Sequence, residues 1–356
     1  MIDLDDSDAI ARHDSLGILG VVEGFADQCA AGWDIGRAAR SLPDATGVTS
    51  IVVLGMGGSG VAGDVAQSVL EPRIGEFFRV VKSYGPLPEW VGRNSLVIAI
   101  SHSGNTEETL SALDSAHERG ARAITISSGG KLKDVASESG IAHVEIPGGL
   151  QPRSALGYLA MSLLGVLTQV GIAPDMDKDV NDAVADLAEV AGRCHRSTSL
   201  AENPSKDLAQ RLSGTVPVIY GAGPLTTAAM RFKCDVNEYA KNPAFWNYLP
   251  ELDHNELESF NRLVEVSRAT LSLVFLRDHA DEHPRITARF DITRGLVEDR
   301  VKQLIEVPAQ GRNPLARLLS LVLVTQLAAI YMAFLNDVDP GPVETLERLK
   351  RDLAAL

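Results

Sequence analysis

Cysteine is scarce in this chain of 356 residues: Cys29, Cys194 and Cys234 are the only three, odd in number and far apart. No Cys-x-x-Cys pair or Cys/His spacing marks a zinc site, and three scattered thiols cannot make a disulfide framework. A reducing, cytoplasmic compartment is therefore expected. Excess positive charge is missing as well. Thirty-three Lys and Arg stand against 47 Asp and Glu, a net charge of −14. That excludes a general surface for nucleic acid or an anionic membrane, because the long-range field repels phosphate polymers. A small phosphate can still bind, but only through local backbone dipoles. The opening residues, MIDLDDSDAIARHD, are acidic and lack the apolar run of a signal peptide. One apolar stretch, residues 318–335, reaches the length of a membrane span. It contains Ser320, Thr325 and Gln326 and resembles a second stretch at residues 155–170. Two matching apolar helices inside an α/β pattern read as core helices.

The length suits two domains, each able to bury its own core, and 45% hydrophobic with 22% charged residues is ordinary for a folded protein. Residues 1–47 read as a helical segment ending at the Pro43-Asp44 turn. Strands are then expected at 51–54, 77–82, 96–100, 123–127 and 143–146, with helices between them and a long apolar helix after Pro152. This is the pattern of a doubly wound parallel sheet, here assigned to residues 48–171. A polar helical linker occupies 172–212, and the same order returns over 213–356. Strands are expected at 216–220, 270–276 and 285–290, and Glu306-Val307-Pro308 echoes Glu145-Ile146-Pro147 ahead of another apolar helix. The fold class is thus α/β, two parallel-sheet domains related by internal duplication.

The halves differ where ligands bind such sheets, at strand C-termini. The first half has GMGGSG and SHSGNT there; the second has GAGPLT and LRDHAD. One phosphate site is expected, in the first half. Gly57, Gly58 and Ser59 let the backbone approach an anion at a helix start. Gly55, Gly57 and Gly60 also spell the dinucleotide fingerprint G-x-G-x-x-G, but the next strand ends in Lys82 rather than an acidic residue, and no Walker lysine follows. Ser101, Ser103 and Thr106 add short hydroxyls at a second strand end. Taken alone, the first loop is equally a tight turn, and Ser103 or Thr106 equally a helix cap.

GMGGSGVAGD, SHSGNTEETL, QPRSALGY and NPAFWNYLPELDHNELESF together resemble the bifunctional phosphoglucose/phosphomannose isomerase family of the sugar isomerase (SIS-domain) superfamily. The first two motifs are common to SIS domains; the last two are far more restrictive. Where that family often carries Tyr in the second motif, this chain has His102. The resemblance implies interconversion of glucose 6-phosphate, fructose 6-phosphate and mannose 6-phosphate through an enediolate. It makes Glu238 the proton shuttle between C1 and C2, His254 the ring-opening group, Arg153 the enediolate's cation and Lys350 a further substrate contact. It also implies a homodimer in which His254 crosses the subunit boundary, and no metal or cofactor. No nucleic-acid or membrane partner is expected.

Each residue has a plainer alternative. Glu238 could pair with Arg231 or Lys241 on a helix surface, His254 could be an exposed or capping histidine, and Lys350 could lie on a solvated helix face. Arg153 follows Pro152 at a helix start, where a cation opposes the macrodipole and so asks for an anionic partner. The aromatics Phe245, Trp246 and Tyr248 read as core or subunit-interface anchors. A non-catalytic phosphosugar-binding regulator on the same fold, or an isomerase of another phosphosugar, stays open beside the first reading.

Overall fold

The computed structural model describes residues 2–353 and 355. One compact unit comprises residues 24–188 and 311–318; the other comprises residues up to 23, residues 189–310 and residues from 319 onward.

In the first of these, five parallel strands run β1 (Ser50–Leu54), β2 (Phe77–Val81), β3 (Ser95–Ile100), β4 (Arg122–Ser127) and β5 (Ala142–Glu145), in the spatial order β2-β1-β3-β4-β5. Apart from Ser50 and Ser95 at their starts, β1 and β3 are apolar, and both are buried along their whole length, as parallel strands flanked by helices must be. Val52, Leu54, Val97 and Ala99 pack against Ala112, Leu113 and Ala116 of the helix Glu107–Glu118. The helices Phe25–Ala38 and Leu156–Gln169 meet backbone to backbone. A Cβ at Gly36 would lie 2.3 Å from the Ser162 carbonyl oxygen, and one at Gly165 would lie 2.9 Å from Gly36 Cα.

The second unit holds β6 (Val216–Ala222), β7 (Phe245–Leu249), β8 (Leu271–Arg277) and β9 (Gln303–Pro308), ordered β7-β6-β8-β9 and again parallel. The order repeats that of the first sheet with its last strand removed. Residues 285–290, read from sequence as a strand, belong instead to the helix Pro284–Val297. Pro284 sits in the first turn, where its missing N–H costs nothing, and His283 caps the end by accepting the Arg285 N–H. Phe290, Thr293 and Val297 form the buried face at helical spacing, which the brief alternation in Arg-Ile-Thr-Ala-Arg-Phe disguised. So β9 pairs with β8 as β4 pairs with β3, and the second unit lacks a counterpart of one strand and one helix.

The helix Pro314–Leu335 is long and apolar enough to cross a membrane, but 94% of its most apolar window is buried inside the fold. Its polar residues are engaged there. Thr325 Oγ1 donates to the Leu321 carbonyl at 2.7 Å, and Gln326 Nε2 donates to Tyr239 Oη at 3.0 Å.

The glycine contact between the two helices gives a stability test. Gly36→Ala should cost about 1–3 kcal/mol, the usual penalty of overpacking a closed core. Gly192→Ala, in a helix where nothing lies within 4 Å of the missing Cβ, should gain roughly 0.5–1 kcal/mol. Urea unfolding of both variants beside the parent checks the opposite signs.

Candidate active site

In a sheet ordered β2-β1-β3-β4-β5 the order of connection reverses between β1 and β3, and open α/β sheets bind ligands outside the strand C-terminal ends at such a point. Both small-residue loops sit there. The helix Gly57–Leu70 starts directly after β1, with Gly57 at φ +50° and Gly58 buried against the next segment. A Cβ on Gly58 would lie 2.8 Å from the Pro152 carbonyl oxygen. Any larger residue would push away the turn Pro152–Ser154 that carries Arg153. Arg153 itself is 4% exposed, a cation held inside the fold beside the glycine loop.

The second loop is tied to the first. Ser59 Oγ accepts the His102 main-chain N–H at 3.2 Å. Ser101 Oγ and Thr106 Oγ1 lie 2.8 Å apart, and Ser101 Oγ also accepts the Gly104 N–H at 3.1 Å. Thr106 occupies the cap position of the helix Glu107–Glu118, yet its side chain makes no capping bond. Its hydroxyl is turned to Ser101 instead, which removes the capping account of that residue. Ser103 is exposed and its Oγ accepts the Asn105 N–H at 3.3 Å.

A third loop, which the motifs did not single out, completes the cradle. The Ser128 N–H and Oγ both donate to the His102 carbonyl, at 3.0 and 2.7 Å. A Cβ on Gly104, at φ +71°, would stand 1.8 Å from the Gly129 carbonyl oxygen. Only glycine fits there. The run Ser127-Ser128-Gly129-Gly130 was the available signal in the sequence. His102 is buried, and burial pushes its ring below the usual histidine range against a hydrogen bond to the Pro147 carbonyl. The neutral imidazole is favoured.

The dinucleotide alternative fails on geometry. Lys82, after β2, ion-pairs with Asp64 of the helix Gly57–Leu70, and its Cε lies 2.9 Å from where a Gly60 Cβ would be. The strand end where a ribose diol would need a carboxylate therefore holds a lysine already engaged. At the end of β8 in the second sheet, the chain supplies its own anions. Arg277, 2% exposed, receives Glu282 at 2.9 Å on Nε and 2.8 Å on Nη2, and Glu306 at 3.4 Å on Nη1. After β6, Pro224 precedes the helix Leu225–Glu238.

Glu238, His254 and Lys350 lie in this second unit, while the cradle and Arg153 lie in the first. Glu238 is half-buried at the last position of the helix Leu225–Glu238. A carboxylate there faces the negative end of the macrodipole, a costly placement that argues for a use. Arg231 pairs within the fold with Asp235 at 2.7 Å. Lys241 Nζ reaches main-chain oxygens of Glu238 at 2.5 Å and Pro342 at 2.6 Å, tying the end of that helix to the approach of the helix Glu344–Leu353. Lys350 is exposed on that last helix. His254 is exposed at the end of the short turn Glu251–His254. Phe245 and Tyr248, on the edge strand β7, are 60% and 39% exposed, so they are not core residues.

Two parallel sheets with one phosphate-type cradle define a double SIS-domain protein. The SIS domain family matches residues 47–147, and the bacterial phospho-glucose isomerase C-terminal SIS domain matches residues 201–353. The chain is 38% identical over 337 residues to the bifunctional phosphoglucose/phosphomannose isomerase of Aquifex aeolicus, covering 94% of this chain and 97% of that one. It is 34% identical over 334 residues to the protein of the same name from Caldicellulosiruptor bescii, covering 93% and 97%. A crystal structure of a glucose-6-phosphate isomerase like protein from Thermus thermophilus shares the fold, with a TM-score of 0.60 at 20% identity over 97% of this chain and 100% of that one. The chain belongs to the bifunctional phosphoglucose/phosphomannose isomerase family.

Crystals soaked in a 5-phosphoaldonate should show its phosphate at Gly57, Gly58, Ser59 and the 101–106 loop. Ser101→Asp should abolish it by placing a like charge in the cradle, whereas Thr226→Asp in the second unit should leave it in place. Phosphate density at residues 221–226 would contradict the asymmetry.

Proposed function

We propose that this chain interconverts glucose 6-phosphate, fructose 6-phosphate and mannose 6-phosphate as a metal-independent aldose–ketose isomerase. Its near full-length likeness to isomerases of that name carries the reading, and the cradle of hydroxyls and close backbone on the first sheet supports a phosphate-anchored substrate. The 6-phosphate lies against Gly57, Gly58, Ser59, Ser101, Ser103 and Thr106. His254 moves the proton that opens the sugar ring. Glu238 then carries a proton between C2 and C1, and Arg153 stabilises the enediolate oxygen with a fixed positive charge. Lys350 contacts the substrate from the last helix. Returning the proton to either face of C2 yields the glucose or the mannose epimer. Three free thiols, two of them buried, fit the reducing cytoplasm in which such a sugar phosphate is met.

The active form is a homodimer, with His254 of one chain serving Glu238 and Arg153 of the other. Exposed apolar side chains on β7 and on the helix Pro284–Val297 support an interface on this unit: Phe245, Tyr248, Ile292 at 62% and Leu296 at 50% exposed. A patch of this kind on a soluble protein marks an association surface.

Fructose 6-phosphate incubated with EDTA-treated enzyme should give both aldose phosphates by NMR. Glu238→Gln should retain substrate binding and lose about 10²–10⁴-fold or more in turnover, the usual cost of deleting an acid–base group. Near-normal turnover would remove Glu238 from the mechanism.

Subunit exchange checks the shared site separately. Inactive Glu238→Gln and His254→Ala proteins, mixed under exchange, should regain part of the parent activity, because one site of each mixed dimer is then intact. No recovery despite demonstrated exchange would place each site within one chain.

A further inference from the structure

The His254 ring makes no hydrogen bond or ion pair within the chain among the described residues, and it is exposed. Its position is therefore set by its backbone, and the backbone is held on both sides. The residue before it, Asp253, places its carboxylate against the helix Pro284–Val297. Arg289 Nη1 donates to Oδ2 at 2.6 Å and Thr293 Oγ1 donates to Oδ1 at 3.3 Å. The Asp253 side chain is 10% exposed and that of Arg289 is 39%, so the carboxylate is shielded while the guanidinium still meets solvent. Two residues after His254, Glu256 places its carboxylate against the sheet. Tyr220 Oη of β6 donates to Oε1 at 2.5 Å, and Asn247 Nδ2 of β7 donates to Oε2. Tyr220 is fully buried, and burial beside Glu256 raises its hydroxyl well above the usual tyrosine range, so it remains a proton donor.

Only His254 and Asn255 lie between these two anchors, and Asn255 Nδ2 bonds back to Glu251 Oε1 at 3.2 Å. Four residues in sequence are thus pinned to a helix and two strands whose own positions are fixed by the core of Phe275, Phe290 and Leu273. An exposed turn of this length with no such anchors is free to shift by about an ångström. A general acid–base group misplaced by that distance loses up to about 10²-fold in rate.

We infer that Asp253 and Glu256 are positioning residues for His254, a carboxylate pair that clamps the turn so that the imidazole meets the ring oxygen. Neither acts on the substrate. The inference rests on the proposed ring-opening role of His254, and the substrate pair chosen for the test separates the two.

A ketose 6-phosphate lacking its C5 hydroxyl cannot close a furanose ring, so its isomerisation needs no ring-opening group. The parent, His254→Ala, Asp253→Asn, Glu256→Gln and Tyr220→Phe enzymes are compared by kcat/KM on fructose 6-phosphate and on this 5-deoxy analogue. Tyr220→Phe keeps the buried ring and deletes only the hydroxyl, which guards against variants that fail to fold. Asp253→Asn and Glu256→Gln should each lose about 10- to 100-fold on fructose 6-phosphate and less than about 3-fold on the analogue, with Tyr220→Phe moving the same way. Equal losses on both substrates, or no loss from any clamp variant while His254→Ala discriminates, would overturn the inference. A His254→Ala enzyme equally impaired on both would overturn the ring-opening role and the inference with it.

Discussion

Everything in the first unit depends on how closely backbone can approach backbone at the C-terminal edge of its sheet. The chain carries a net charge of −14 and so has no general attraction for an anion. On the proposed function, binding comes from N–H groups, hydroxyls and one buried guanidinium brought together without intervening side chains. Gly58 lies against the Pro152 carbonyl and Gly104 against the Gly129 carbonyl at distances that exclude a Cβ. Those two contacts draw three loops and the Arg153 turn into one rim, and the bonds from Ser59 and Ser128 to the His102 backbone lock it.

The second unit solves a different problem with the same topology. Its sheet keeps the order and direction of the first but ends one strand sooner, and the helix Pro284–Val297 packs on β6 and β8 as the helix Glu107–Glu118 packs on β1 and β3. That helix also supplies Arg289 and Thr293, the anchors of the turn bearing His254.

Much of this was legible in the sequence because it depends on local signals. Strand–glycine–helix junctions, hydroxyl clusters at strand ends and the repeated Glu-apolar-Pro element are short-range features, and each of the first five strands was placed to within a residue or two. The helix Pro284–Val297 was misread because six residues alternated like a strand, while the buried positions that define it run on to Val297. Tertiary packing overrode a weak local period. The clamp around His254 was invisible for another reason. Asp253 and Glu256 sit in an acidic stretch that reads as solvated, and their partners lie from 9 to 40 positions away in the chain. Of the two readings of the β7 aromatics, core or subunit-interface anchors, the core one fails for Phe245 and Tyr248 because an edge strand has neighbours on one side only.

The arginine at the end of β8, satisfied by Glu282 and Glu306 from its own chain, has a consequence for how ligand concentration is felt. A ligand adds to stability only where it binds the folded state, by RT ln(1 + [L]/Kd). The β8 strand end is closed by internal charge and needs no ligand, whereas the cradle on the first sheet, on the proposed function, is completed by a sugar phosphate. On the proposed function, amide exchange at the 101–106 loop should respond to sugar phosphate, whereas the ion pairs of Arg277 are complete without it.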